Sequence, residues 1–155
     1  MRFRWARVRM IAVALALASC GGGDGPAGPN NQQAGPMSAR LDGQAWTAAS
    51  VATAASTAGQ AHAVAGSNTQ ATIGFGFINA GPGTYPIGAG SATNALVTQG
   101  ASTWSANQFQ GSGTITITAL TAERIAGSFT FTAEPATGGA TGTRVVTDGQ
   151  FDVTF

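Results

Sequence analysis

The sequence predicts an all-β domain over residues 37–155, an antiparallel β-sandwich or partly closed barrel of about eight or nine short strands. Three observations predict this fold. Apolar and polar residues alternate with a period of two along short segments, turn motifs separate those segments, and no stretch keeps a helical apolar period over three turns. The Ala-rich run 48–58 comes nearest to a helical pattern, but its Thr, Ser and Val content favours a strand.

Asp42-Gly43 predicts the turn of a first hairpin. A two-residue type I′ turn needs positive φ at both central positions, which an Asp-Gly pair provides. Pairing position 41 with 44 and position 39 with 46 places Leu41 and Trp46 on one face of this hairpin. The next strands are predicted, in chain order, at 50–55, 60–65, 71–78, 84–87, 95–99 and 102–105, with a turn at 79–83.

The clearest alternation lies in segments 113–119 and 125–132. The positions expected to face the core are Ile115, Ile117, Ile125, Phe129 and Phe131, and those expected to face outward are Thr114, Thr116, Thr118, Ser128, Thr130 and Thr132. For the apolar residues of both strands to share one buried face, paired positions must sum to an even number. The connection therefore contains an odd number of residues, or a β-bulge makes up the difference.

A last hairpin is predicted to turn at Asp148-Gly149. The alternation continues from there to Phe155, which is expected in the core, while Asp152 is expected to face solvent. A terminal Phe also closes the strands of outer-membrane barrels. Such strands need ~9–11 residues, however, and the segments predicted here have mostly about five to eight.

Residues 1–19 are predicted to be a lipoprotein signal peptide. Four arginines lie in the first nine residues, and the apolar run 10–18 that follows is too short for a membrane span of about 20 residues. Leu17-Ala18-Ser19-Cys20 then matches the bacterial lipobox, in which a cysteine thiol receives the lipid. Cys20, the only cysteine in the chain, is therefore the predicted attachment site for several acyl chains, palmitate among them.

This signal predicts a lipid-anchored location in the bacterial cell envelope. By resemblance to lipoprotein sorting in Gram-negative bacteria, Gly21 after the cysteine favours the outer membrane, with the periplasmic or surface face left open. Residues 20–36 are rich in Gly and Pro and have no apolar periodicity, so they are predicted to form a flexible linker that spans ~20–24 Å.

The charge balance excludes nucleic acid as a partner. Once the signal peptide is removed, three arginines face six acidic residues, for a net charge of −3, and the chain has no lysine. Nucleic-acid binding depends on cationic side chains that neutralise phosphates, and this composition does not supply them.

Residues for catalysis are few. His62 is the only histidine, no Gly-x-Ser-x-Gly motif accompanies it, and it is interpreted as a solvated or hydrogen-bonded strand side chain. Asp42 and Asp148 are explained as turn formers and Glu123 and Glu134 as loop charges, so no carboxylate pair for glycoside hydrolysis stands out. We therefore expect that the protein is not an enzyme.

Metal and cofactor sites are not expected either. The chain has neither zinc-ligand spacing nor an Asp-x-Asp-x-Asp-Gly calcium loop. Asp148 and Asp152 could share a surface calcium ion, although acids at strand ends are usually solvated.

The aromatic residues are the best indication of a ligand, since aromatics serve both cores and sugar-stacking platforms. Trp46 and Tyr85 are expected in the core. Trp104, in the polar segment Ser-Thr-Trp-Ser-Ala, is expected to be exposed and is the predicted ligand contact, with Phe109 a further candidate. The regular Thr rows resemble ice-binding or sugar-binding ladders, but Thr is also an ordinary strand former on a solvated face.

Four motifs together resemble a family of small bacterial envelope lipoprotein domains of unknown function. They are Asp42-Gly43-Gln-Ala-Trp46, Gly83-Thr-Tyr85, Gly113-Thr-Ile-Thr-Ile-Thr with Ile125-Ala-Gly127-Ser-Phe129-Thr-Phe131, and the closing Asp-Gly-Gln-Phe151-Asp-Val. The resemblance covers most of residues 37–155 and implies the fold and the location. It implies no activity, because the motifs are turns and core positions.

Two functions from different classes follow. The first is a non-catalytic envelope lipoprotein with a structural or protein-interaction role, in contact with a protein partner, the cell wall or an assembly. The alternative is a small-ligand or glycan-binding module. A closed core with a flat Thr-rich face would favour the first, an exposed aromatic beside a concavity the second, and clustered acids in a groove would favour an enzyme.

Overall fold

The computed structural model describes residues 36–55, 61–78 and 81–155, and every regular element among them is a β-strand. No described residue belongs to a helix that could cross a membrane. The strands are β1 (Met37–Leu41), β2 (Gln44–Thr47), β3 (Ser50–Ala55), β4 (Ala61–Ser67), β5 (Thr72–Ile78), β6 (Gly83–Ile87), β7 (Asn94–Gln99), β8 (Ser102–Ala106), β9 (Ser112–Leu120), β10 (Arg124–Thr137) and β11 (Arg144–Thr154). The predicted signal peptide, Cys20 and the predicted linker up to residue 35 lie outside the described residues.

The strands pair antiparallel in a curled sheet that forms a half-barrel, which confirms the predicted all-β, partly closed architecture. Nine strands follow one hydrogen-bonded path in the order β2-β1-β11-β10-β8-β7-β5-β4-β3. Strands β9 and β6 form a branch from β10, so the described residues contain eleven strands rather than eight or nine. Strand β6 pairs only with β9 and is an edge strand, which suits the proline at position 86.

Strand β10 belongs to two sheets. On one edge it pairs with β11, and on the other its residues 125–132 pair with β9 whereas residues 134–137 pair with β8. Sheet A thus consists of β2, β1, β11, β10, β9 and β6, and sheet B of β10, β8, β7, β5, β4 and β3. Strand β10 therefore joins sheet A and sheet B, and the two sheets diverge at the point where β10 changes its partner from β9 to β8.

The core lies between the two sheets. Phe75 of β5 contacts Phe129 of β10 and Phe151 of β11, with ring centroids 5.2 and 5.0 Å apart. Phe77 likewise contacts Tyr85 at 4.9 Å. The largest fully buried side chains are Phe77, Met37, Ile73, Ile115, Ile117, Ile125, Val64, Val97 and Val146. Each such side chain stabilises the fold by roughly 1.5–3 kcal/mol relative to an exposed position.

Three cross-strand pairs in sheet A match a phenylalanine with a glycine: Phe131 with Gly113, Phe151 with Gly127, and Phe129 with Gly149. A Cβ atom on any of these glycines would overlap the paired phenylalanine. The aromatic side chains therefore lie against bare backbone, and the core needs glycine at these positions.

The first hairpin forms as predicted. Asp42 and Gly43 have φ angles of 51° and 79°, and the pairs Ala39–Trp46 and Leu41–Gln44 have the predicted register. Leu41 and Trp46 are both buried.

The connection between β9 and β10 shows which of the two predicted solutions the chain uses. Four residues separate the paired positions Leu120 and Ile125, an even number, and a bulge restores the register. Thr118 is the extra residue between the paired positions 117 and 119, and its hydroxyl donates a hydrogen bond to the carbonyl of Ala126 at 3.1 Å.

The predicted hairpin at Asp148-Gly149 is wrong, because β11 runs through both residues. Asp148 has a φ of 52° and is the extra residue of a bulge opposite β1, where the register shifts between Ser38 and Arg40. The chain reverses instead at residues 138–143, between β10 and β11. A positive φ is required in a tight turn and in this kind of bulge alike, so the Asp-Gly signal fits either.

The terminal residue also differs from its prediction. Phe155 is 49% exposed rather than in the core, whereas Asp152 faces solvent as predicted. The last pair of the ladder joins Arg124 to Thr154, so Phe155 lies one residue beyond the sheet that would have covered its ring.

Replacement of Gly149 tests the Phe–Gly pairs. Gly149→Ala is expected to lower the free energy of unfolding by about 1–3 kcal/mol, because the new Cβ overlaps the Phe129 ring and carbonyl. Urea denaturation of this variant and of Gly81→Ala measures the effect. Gly81 has open space at its Cβ position, so the control is expected to match wild type. Equal stability of all three proteins would contradict the packing described above.

Candidate functional site

Trp104 is buried, and the prediction that it is exposed is wrong. It is 4% exposed, and its indole Nε1 donates a hydrogen bond to the carbonyl of Gly142 at 2.9 Å. The guanidinium carbon of Arg144 lies 4.1 Å from the ring centroid. Its polar neighbours Thr103 and Ser105 occupy the alternate positions of β8, where side chains point to the opposite face. The predicted ligand contact is therefore a covered core residue, whereas Trp46 and Tyr85 pack in or against the core as expected.

Arg144 links β11 to β7 and to the turn of the first hairpin. Its Nε donates to the side-chain oxygen of Gln99 at 2.9 Å and lies 3.5 Å from a carboxylate oxygen of Asp42. The backbone N–H of Asp42 donates to the carbonyl of Val145 at 2.8 Å. The backbone N–H of Val145 donates in return to the carboxylate of Asp42, also at 2.8 Å. These contacts join the tip of the first hairpin to β11 and give Asp42 and Arg144 structural roles.

His62 faces the core from β4 rather than solvent. It is buried, and its ring stacks on Phe77 with centroids 5.3 Å apart. This position is that of a packed strand residue, so the interpretation of His62 as a solvated side chain is wrong.

The two aspartates considered for calcium each have an arginine partner. Arg124 donates two hydrogen bonds to Asp152, at 2.7 and 2.6 Å, and Arg40 lies 3.5 Å from Asp148. The hydrogen bonds from Arg124 lower the pKa of Asp152 and raise the pKa of Arg124. Asp152 therefore remains ionised as the pH falls until that lowered pKa is reached, where the pair is lost. Within the described ranges, no three His, Cys, Asp or Glu residues are grouped to hold a metal.

The outer face of sheet A carries a band of hydroxyl and amide side chains. One row crosses all six strands, each residue paired with the next: Thr84, Thr116, Ser128, Gln150, Ser38 and Thr47. With about 4.8 Å between strands, the row is ~24 Å long. We call these six residues the hydroxyl face. The sequence predicted its part on β9 and β10, but the rest requires the register of strands far apart in the chain.

A groove of about 410 Å³ borders the middle of the hydroxyl face, where Ser128 and Gln150 line it. The Arg124–Asp152 pair borders it, together with Thr118 and Gln150. Pro36 lines the same groove, and its carbonyl accepts a hydrogen bond from the backbone N–H of Asp152 at 2.9 Å. The groove therefore marks the end of the domain at which the described chain begins.

The outer face of sheet B is different, because its centre is apolar and shallowly concave. Two rows of paired positions form it: Ala54, Ala63, Gly76 and Asn94, and Ala52, Ala65, Gly74 and Leu96. The concave region is a groove of about 540 Å³, which Ile78 borders. We call this groove the apolar groove. Neither glycine has a positive φ, and a Cβ on Gly76 would lie at ordinary contact distance from the Asn94 side chain, at 3.4 Å, and the His62 carbonyl, at 3.5 Å. The fold therefore does not require glycine at position 76.

Phe109, at 85% exposure, is more exposed than Phe155, the other exposed phenylalanine among the described residues. It lies in the loop between β8 and β9, where the side-chain oxygen of Asn107 accepts hydrogen bonds from the backbone N–H groups of Phe109, at 2.8 Å, and Gln110, at 3.3 Å. Ala95 pairs with Ala106, so this loop begins beside Asn94 at the edge of the apolar groove. The sequence signal for its exposure is the polar, non-alternating stretch Asn-Gln-Phe-Gln-Gly.

One protein-family model matches the chain, over residues 33–153, and its description is a domain of unknown function (DUF6252). No curated protein and no solved structure gives a significant match.

Tryptophan fluorescence tests the burial of Trp104. In Trp104→Phe, we expect that the lost emission component is one that acrylamide quenches poorly, because the indole is enclosed. We also expect a loss of about 1–3 kcal/mol in the free energy of unfolding, from the lost hydrogen bond and packing volume. Trp46→Phe serves as the matched control at a second buried site. A strongly quenched Trp104 component would contradict the structure.

Proposed function

The chain belongs to the DUF6252 family, and we propose that it is a lipid-anchored protein of the bacterial cell envelope whose β domain works by contact and not by catalysis. The family has no known function, so the proposal rests on this chain's own residues. The hydroxyl face is the observation that carries it.

The lipid anchor is proposed from the sequence around Cys20. The lipobox follows a short apolar run and a basic N-terminus, and Gly21 favours the outer membrane. The Gly- and Pro-rich residues 20–36 are proposed as a linker, whose length would hold the domain off the lipid headgroups. The linker would enter the domain at Pro36, beside the Arg124–Asp152 pair.

The hydroxyl face suits contact with another surface. Its row of Thr, Ser and Gln side chains donates and accepts hydrogen bonds over ~24 Å without a charge in the row. Neutral polar groups are less costly to desolvate than charged ones, so such a face can pair with a protein or cell-wall surface. The core beneath it is filled by packed aromatic rings, so recognition is left to the outer surface of the domain.

A small-ligand or glycan-binding role is the second candidate function. Trp104 does not support it, because the ring is covered. The exposure of Phe109 beside the apolar groove does support it. An enzyme is less well supported, since Asp42, Asp148 and Asp152 each lie beside an arginine.

The anchor is tested by replacing its attachment residue. Cys20→Ala is expected to abolish labelling with a palmitate analogue and to release the protein from the membrane fraction, because no other cysteine can carry the lipid. Ser19→Ala keeps a small residue before the cysteine and is expected to remain labelled and membrane-bound. Labelling that persists in Cys20→Ala would contradict the proposal.

The contact role is tested by photo-cross-linking in living cells. A benzophenone amino acid at Thr116, in the centre of the hydroxyl face, is expected to give discrete cross-linked products. The control is the same amino acid at Thr69, an exposed threonine in the β4–β5 turn. Products that are absent at Thr116, or the same at both positions, would count against the hydroxyl face as the contact surface.

A further inference from the structure

We propose that Phe109 and the apolar groove form a binding site for a neutral glycan chain. This site lies on the outer face of sheet B and is separate from the hydroxyl face of sheet A. The inference uses the proposed envelope location only to identify a source of glycan, and the binding itself depends on neither the lipid nor the hydroxyl face.

Phe109 is exposed on a loop that polar contacts hold in place. Polar contacts fix its loop: the Gln110 side-chain nitrogen donates to the Ser105 hydroxyl at 2.8 Å and approaches the carbonyls of Glu134 and Pro135, both at 3.4 Å. The ring itself is 85% exposed and contributes little to the core. The backbone of the loop is thus held in place, and the exposed face of the ring is available to stack on a flat ligand.

The apolar groove lies next to the loop that carries this ring. The loop begins beside Asn94, and from Asn94 the row of small residues runs across β5 to β4 through Gly76 and Ala63. Sugar rings present flat C–H faces, and a floor of small side chains allows such a face to approach the backbone of β5. Gly76 is central here, because its missing Cβ keeps the groove open although the fold would accept one.

The charge of the site selects the ligand class. The chain has no lysine, and each arginine among the described residues lies beside an aspartate. An acidic polymer would therefore find no arginine or lysine without an acidic neighbour in this part of the chain. Asn94 places an amide in the lining of the groove. Beside Leu96 of the same lining, the cross-strand row continues through Ser105 of β8 to Glu134 of β10. An amide, a hydroxyl and a carboxylate match the hydroxyls of a neutral sugar.

The length of β9 sets the distance between the site and the proposed anchor. Strand β9 separates the Phe109 loop, at Ser112, from Leu120, which pairs with Ile125 near the Pro36 end of the domain. Nine residues in a strand extend ~27 Å. Phe109 therefore lies at the end of the domain away from the linker, where a cell-wall polymer or extracellular glycan could reach it.

Calorimetric titration of the full-length protein in detergent tests this site. The probes are β-1,4-linked tetramers of N-acetylglucosamine and of glucose and a mannose tetramer, with an oligogalacturonate as the acidic comparison. We expect saturable binding of at least one neutral probe and weaker binding of the acidic one. Phe109→Ala is expected to weaken the affinity about tenfold, the effect of one lost stacking contact.

Two further variants separate binding from folding. Phe155→Ala removes an exposed phenylalanine outside the proposed site and is expected to bind as wild type does. Gly76→Val fills the groove with a good strand former, so it is expected to keep or raise the melting temperature while weakening binding. A Cys20→Ala protein that binds normally would show that the glycan site stands even if the lipid anchor fails.

Three outcomes would overturn the proposal. The first is a folded protein that binds none of the neutral tetramers, and the second is binding that Phe109→Ala and Gly76→Val leave unchanged. The third is that the Phe109→Ala substitution abolishes binding to phosphatidylcholine vesicles or to a protein partner while no oligosaccharide binds, since the ring would then contact a membrane or a protein.

Discussion

The change of partner along β10 is the constraint on which the rest of the domain depends. Its first residues form a ladder with β9 and its last residues form one with β8, so the two sheets must separate where the partner changes. The loop 107–111 crosses this point, and its last residue, Gly111, has no room for a Cβ because the carbonyl of Thr132 lies against it. The separation allows sheet B to lie over sheet A, which encloses Phe75 between Phe129 and Phe151. It also places Phe109 at the surface between two ladders rather than within one.

Packing, rather than charge, holds this arrangement together. Three arginine–aspartate pairs lie at the margins with half-exposed side chains for the most part, and pairs of this kind contribute little in water. The only cysteine of the chain, Cys20, is the predicted lipid-attachment site, so no disulfide is expected to replace packing. Close approach of phenylalanine rings to Gly113, Gly127 and Gly149 makes the core dense without large side chains on every strand.

Local patterns predicted most of the strands, since period-two alternation and Asp-Gly chemistry act within a few residues. Such local patterns predicted the hairpin around Leu41 and Trp46. They also predicted that the connection after β9 needs either a bulge or an odd number of residues. The prediction for Asp148 failed because a positive φ suits both a tight turn and a β-bulge. The prediction for Trp104 failed because its polar neighbours occupy the outward positions of a strand whose other face lies in the core. The site could be predicted only in part. The hydroxyl face and the apolar groove each join residues distant in sequence, and their registers are set by the curl of the whole sheet.

Strand β6 has a consequence for how the protein behaves among copies of itself. It is an edge strand, and unpaired edges are templates on which another chain can extend a sheet. Copies tethered to one membrane, as proposed here, would meet at a high effective concentration and at similar heights. Pro86 leaves the edge one backbone donor short and fixes the local φ, so β6 is a poor template for a neighbouring strand. The same residue that suits an edge strand would thus help a crowded layer of this weakly charged protein to resist aggregation.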